Sequence, residues 1–213
     1  MIRLACGDDG HPPSASPHRK IRMARAVIYT GFMSLDGVVD SPGSQAEGHR
    51  SGGWVMDTEF VPEAFALKGE ELAETSALMF GRRSYEAFAP FWRESEDHAA
   101  YKDLPKYVVS STLSEDALVD GWGPTTILRS SEDVAALKQG EGGAIFIHGS
   151  AELARTLSDA DLIDRYNLLV FPVLLGAGKS LFSREDHAKR ALRLRESASY
   201  SNGVTKLLYD VVY

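Results

Sequence analysis

Four short segments, in a fixed order along the chain, constrain the fold more than any other feature. They are Met33-Ser34-Leu35-Asp36-Gly37, Gly81-Arg82-Arg83-Ser84-Tyr85-Glu86, Val108-Val109-Ser110-Ser111-Thr112-Leu113 and His148-Gly149-Ser150-Ala151-Glu152-Leu153. Three of them follow an apolar run that reads as a buried strand, and open a loop or helix with small, hydroxyl or cationic residues. Buried strands alternating with helices imply a mostly parallel sheet covered on both faces. Ligands of such sheets bind at the carboxyl edge of the strands.

Residues 26–32 read as the first strand and 34–53, rich in Gly, Ser and Pro, as a long loop. Apolar residues at helical spacing predict a helix over 58–74, with Asp57 or Thr58 as its cap. Strands are expected at 77–80, 106–110, 126–128, 144–148 and 164–173. A helix or turn is expected at 83–91, and helices from Ser130 or Ser131 to Lys138 and at 150–158. Residues 192–200 and 204–212 form a closing antiparallel hairpin around Ser201-Asn202-Gly203. Residues 1–23 read as a disordered tail rich in Pro, Ser, Asp and His, with Met23 as a second plausible start. Residues 24–213 read as one domain, since no internal linker divides them.

Composition excludes several classes. The net charge of −7 argues against a nucleic-acid surface, which needs a dense positive field. Cys6 is the only cysteine, so neither an intrachain disulfide nor a cysteine zinc cluster is possible, and a reducing, cytoplasmic compartment is expected. No apolar run approaches the ~20 residues of a membrane span.

Gly81 permits a tight turn, and the forks of Arg82 and Arg83, with Ser84 beside them, suit phosphate. Alone, the same residues also describe a helix start with two solvated arginines. Ser110 and Ser111 offer hydroxyls to a phosphate, or cap a turn. Gly149 to Leu153 place free amides and a helix dipole at a strand end, as a pyrophosphate site does, and as an ordinary strand-to-helix turn does. Gly176-Ala177-Gly178-Lys179-Ser180 imitates the end of a nucleotide-binding phosphate loop, but position 173, where the first glycine belongs, is Val173. It reads as a turn near a ligand or a dimer contact. The zinc deaminase signature and the G-x-S-x-G elbow are both missing. Asp36, Asp57 and Glu59 are the carboxylates nearest the presumed cleft, able to bind an N–H edge or assist protonation. Trp54 either stacks on a ring in the cleft or anchors the core.

Residues 24–213 resemble the dihydrofolate reductase superfamily, and within it the RibD C-terminal branch of riboflavin-biosynthesis reductases. Ser34 to Gly37, Gly81 to Glu86, Ser110 to Leu113, Gly149 to Leu153 and Phe171-Pro172-Val173-Leu174-Leu175-Gly176-Ala177-Gly178 carry the resemblance. It implies an α/β fold with a mixed, mostly parallel eight-stranded sheet, helices on both faces, and NADPH as cofactor. Arg82, Arg83 and Ser84, with Ser110 and Ser111, would then face the adenosine side and its 2′-phosphate. Gly149, Ser150, Ala151, Glu152 and Leu153 would hold the pyrophosphate. Ser34, Leu35 and Trp54 would border nicotinamide and substrate, with Asp36, Asp57 or Glu59 as catalytic carboxylates. Dihydrofolate reductases place a pterin-binding carboxylate on their first long helix, and Asp57 and Glu59 are near that region. The implied activity is NADPH-dependent reduction of a small heterocycle, with 5-amino-6-(5-phosphoribosylamino)uracil the nearest named substrate. Folate reduction and non-catalytic NADPH binding are the alternatives. No metal is expected, and a homodimer is expected by analogy.

Overall fold

The structure, a computed structural model, describes residues 25–45, 48–182 and 189–213. The tail expected over 1–23 lies outside the described residues. Eight strands form one sheet in the order β4-β3-β2-β5-β1-β6-β8-β7. They are β1 (Val27–Ser34), β2 (Thr75–Gly81), β3 (Lys106–Val109), β4 (Thr125–Leu128), β5 (Ala144–His148), β6 (Arg165–Phe171), β7 (Ala191–Ser199) and β8 (Thr205–Val212). The first six run parallel, and β8 pairs antiparallel with both β6 and β7. The closing hairpin turns where expected, with Gly203 at φ 81 and its N–H on the carbonyl of Tyr200.

The helices α1 (Pro62–Glu74), α2 (Arg82–Trp92), α3 (Ser131–Lys138) and α4 (Ala151–Asp159) divide between the two faces. Side chains alternate along each strand, so a central strand must be apolar at every position. In β2, Ala77 and Met79 join a core with Val134 of α3 and Ala154 and Leu157 of α4. Leu78 and Phe80 join a second core with Tyr85 and Ala89 of α2. Ala64 and Leu67 of α1 pack on Leu169 and Phe171 of β6 in a third. No helix among the described residues is long and apolar enough to cross a membrane.

The first helix begins later than the apolar spacing predicts. Proline suits the first helical position, where its missing N–H is not needed, and forces the preceding residue into extended backbone. Pro62 does this, with Val61 extended at φ −118 and no side-chain cap. Asp57 and Thr58 therefore do not cap the helix, and Asp57 and Glu59 lie in the segment before it.

Candidate functional site

Strands β2 and β5 are neighbours, yet α2 leaves β2 for one face of the sheet while α4 leaves β5 for the other. Adjacent strands whose helices diverge leave a crevice at their carboxyl ends. Here it widens into a cleft of about 1160 Å³ that runs along the ends of β1 to β5. Gly81 and Ser150 meet in its wall, where the Gly81 N–H donates to Ser150 Oγ at 2.8 Å. Gly149 and Ser150 follow one another at φ 63 and φ 62, a left-handed pair that turns the chain sharply into α4. A Cβ at position 149 would lie 3.2 Å from the Phe88 ring, so this wall is cut close.

Both helices that start at the crevice lack a side-chain cap. Their first amides are available to an anion. By contrast α3 caps itself, through a reciprocal pair between Ser130 and Asp133. Ala151 and Leu153 bury their side chains, so they offer the cleft backbone alone. The first turn of α2 carries Arg82 and Arg83 and no acid. Each cation at the positive end of a helix is unfavourable by up to about 1 kcal/mol, a sign that reverses when an anion lodges there.

The two guanidiniums differ. Arg82 donates from Nε to Glu86 Oε1 at 2.7 Å and from Nη1 to Thr112 Oγ1 at 2.8 Å. Arg83 lines the same wall, exposed and without a hydrogen-bond or ion-pair partner among the described residues. Ser110 is buried, and its Oγ accepts from the amides of Thr112 and Leu113, so it shapes the turn. Ser111 beside it is exposed to the cleft. Arg129 ties this turn down through the carbonyls of Ser110 and Leu113, at 3.1 and 2.6 Å.

The other end of the cleft is aromatic. Trp92 stacks on His98 at 4.3 Å between centroids and meets His148 edge-on at 5.3 Å, with Tyr101 5.6 Å from His148. Burial, with the charges of Lys68 and His98 adding to it, pushes the His148 imidazole down to about 3. It is therefore neutral at physiological pH, and its Nε2 is buried without a partner. Lys68 of α1 and Thr30 of β1 complete this compartment. Behind them Glu71, 1% exposed, accepts from Thr30 at 2.9 Å, from Lys68 at 3.0 Å and from Asn167 at 2.9 Å. Lys68 also donates to Thr30 Oγ1 and lies over the Phe32 ring. Thr30, Lys68, Glu71 and Asn167 stand outside every motif of the sequence, and His148, which opens the fourth segment, reads there as the end of a core strand.

The structure thus brings Gly81, Arg82, Arg83, Ser84, Ser110, Ser111 and Gly149 to Leu153 to one cleft. It does not bring the suggested carboxylates there. Asp36 binds Ser34 Oγ at 2.6 Å, Leu175 N at 3.2 Å and Gly176 N at 2.7 Å, which clamps the loop after β1 to the loop after β6. The Ser34 hydroxyl, and then the Gly176 and Leu175 amides, outweigh desolvation and hold its carboxyl down at about 2, a poor proton donor. Ser34 is buried within this clamp, and Leu35, 67% exposed, is outside the cleft lining. Asp57 and Glu59 are exposed and outside the lining. Trp54 is 2% exposed, donates its indole N–H to the Asp40 carbonyl and packs edge-on against Phe171. Of its two sequence readings, the core anchor is the one its position fits. The Gly176 to Ser180 turn sits beside the cleft, with Lys179 paired to Asp40 at 3.0 Å.

Residues 25–206 match the family model of the RibD C-terminal domain. The uncharacterized protein YwjB of Bacillus subtilis (strain 168) is 37% identical over 185 residues, spanning 85% of this chain and 96% of that protein. Among solved structures, a candidate riboflavin biosynthesis protein from Shewanella sp. PV-4 superimposes with a TM-score of 0.67 at 21% identity, covering 88% of this chain and 99% of that one. Dihydrofolate reductase from Enterococcus faecalis, complexed with NADP(H), gives 0.57 at 14% identity, covering 88% and 97%. The two structural likenesses speak for the fold, and the family match with the YwjB identity for kinship: the chain belongs to the RibD C-terminal domain family.

Proposed function

We propose that this protein is an NADPH-dependent reductase of a small, planar heterocycle. One observation carries the reading: two uncapped helix starts and a guanidinium with no partner among the described residues converge on the crevice between β2 and β5. That donor set fits a dinucleotide polyphosphate in charge and in reach. Arg83, Ser111 and Thr112 would hold the 2′-phosphate, with Arg82 shared between phosphate and Glu86. The amides of residues 149–153 would hold the pyrophosphate. The ends of β1 and β5 would form the floor under the nicotinamide, with Asp40 to Pro42 at its side. When bound, the cofactor supplies hydride to a C=N or C=O carbon. The chain binds, orients and excludes water, and alignment of the two rings does most of the work. Trp92, His98, Tyr101 and His148 would take the substrate ring by stacking.

The named activity nearest this reading is reduction of 5-amino-6-(5-phosphoribosylamino)uracil. Against a dihydrofolate-type reaction stands the carboxylate of the first long helix, Glu71, which is 1% exposed behind Lys68 and outside the cleft lining. The test is a titration with NADPH and with NADH, followed by protein fluorescence, where Trp92 in the cleft wall is the reporter. NADPH-selective binding is expected. Binding of neither dinucleotide overturns the reading.

A further inference from the structure

Glu71 holds the place from which a carboxylate could read a substrate, yet it does not face the cleft. Its Oε1 accepts from Asn167, and its Oε2 from both Thr30 and Lys68. Glu71 is 1% exposed, whereas the Lys68 side chain keeps 28% of its surface and lines the cleft with Gly69 and Leu72. The carboxylate is therefore sealed, and the polar group in front of it is an ammonium. A carboxylate pairs with a donor edge, such as the amidine-like N–H pair of an aminopyrimidine ring. An ammonium has three donors and no acceptor, so it pairs with carbonyl oxygens and anions.

From this we infer that Lys68 is the specificity-determining residue of the substrate compartment. By masking Glu71 it turns a site that would read donor edges into one that reads acceptor edges. The inference rests on the reductase reading. Three features support it together. The Lys68 ammonium is held in place by Thr30 and Glu71 and lies over the Phe32 ring. The other basic group on the compartment floor, His148, is neutral. Lys68 and the stacked rings of Trp92 and His98 line the same cleft.

The experiment compares two pyrimidines of opposite edge chemistry. Barbiturate is a monoanion bordered by carbonyl oxygens. Trimethoprim, a 2,4-diaminopyrimidine, presents N–H donors and binds carboxylates as a cation. Each is titrated by calorimetry into the full chain saturated with NADP+, in wild type, Lys68→Gln and Lys68→Arg. NADPH affinity is measured on the same three proteins, and thermal melts report folding. Wild type is expected to bind barbiturate more tightly than trimethoprim. Lys68→Gln should lose about 10- to 100-fold in barbiturate affinity, as for a lost hydrogen bond to a charged group, and gain affinity for trimethoprim as Glu71 is uncovered. Lys68→Arg should keep the wild-type order, and NADPH should bind all three alike. Wild type preferring trimethoprim, or an affinity ratio that does not move in Lys68→Gln, overturns the inference. So does binding of neither pyrimidine by protein that binds NADPH. If wild type fails to bind NADPH, the reductase reading falls first, and the Lys68 assignment with it.

Discussion

Arg83→Ala should separate the two nicotinamide dinucleotides. The Arg83 guanidinium stands exposed in the cleft wall with no partner among the described residues, so its removal leaves no other group unpaired. A hydrogen bond to a charged group is worth about 1.5–3 kcal/mol, and at ~1.4 kcal/mol per decade its loss weakens NADPH about 10- to 150-fold. NADH has a hydroxyl in place of the phosphate and should lose little. Arg82 differs, because the phosphate must draw its guanidinium from Glu86. That pair is of the exposed i,i+4 type, with both side chains nearly half exposed, and such pairs contribute about 0.3–0.5 kcal/mol. Releasing Arg82 by Glu86→Gln should therefore tighten NADPH by about twofold and leave NADH unchanged. Fluorescence titration at fixed ionic strength reads all of these constants. Equal weakening of NADPH and NADH by Arg83→Ala would refute the assignment of this wall to the 2′-phosphate.

Three other perturbations reach other parts of the site. Gly149→Ala puts a side chain at φ 63 and 3.2 Å from the Phe88 ring, and should cost about 1–2 kcal/mol, a drop in Tm of roughly 2–8 °C. An unchanged melt would mean that the turn into α4 relaxes freely. Glu71→Ala strands the buried Thr30 hydroxyl and Asn167 amide beside an unpaired Lys68. About 3–5 kcal/mol of stability should go, roughly 6–20 °C in Tm, and a shift no larger than that of a surface variant would contradict the sealed network. Asp36 has a folded-state pKa below its unfolded value, so the stability it contributes is present above about pH 4 and is lost as pH falls through about 2. Asp36→Asn should speed amide hydrogen exchange at Gly176 at neutral pH, and that difference should vanish in acid.

The sheet was legible because each strand carries its own evidence. In β2 the run Ala77-Leu78-Met79-Phe80 is apolar on both faces, which only a central strand needs. The start of α1 is not legible from spacing, because the apolar pattern continues upstream through Phe60 while Pro62 decides the backbone. Trp54 could not be assigned from its neighbours, since its partners, the Asp40 carbonyl and the Phe171 ring, come from separate segments. Asp36 looked chemical for a similar reason. Its acceptors are filled by amides of the loop after β6, and nothing local to Asp36 announces them.

The two ends of the cleft differ in legibility for a physical reason. A phosphate is held by amides at a helix start, by small residues that let it approach, and by cations one residue further on. All of these are set by consecutive residues, so Gly81-Arg82-Arg83 and Gly149-Ser150 stand out in the sequence as a candidate phosphate site. On the proposed function a heterocycle would be held by side chains from elements that meet only in the folded chain: Lys68 from α1, Trp92 from the end of α2, Tyr101 from the turn beyond it, and His148 from β5. One local signal did exist. Ala64, Leu67 and Glu71 share the buried stripe of α1 at helical spacing, and a carboxylate in an apolar stripe demands partners to offset its desolvation. Lys68, three residues before Glu71, is within reach as its ion-pair partner. A buried charge with a neighbour able to neutralise it is thus a stronger pointer to a site than an exposed carboxylate in a loop, which water already satisfies.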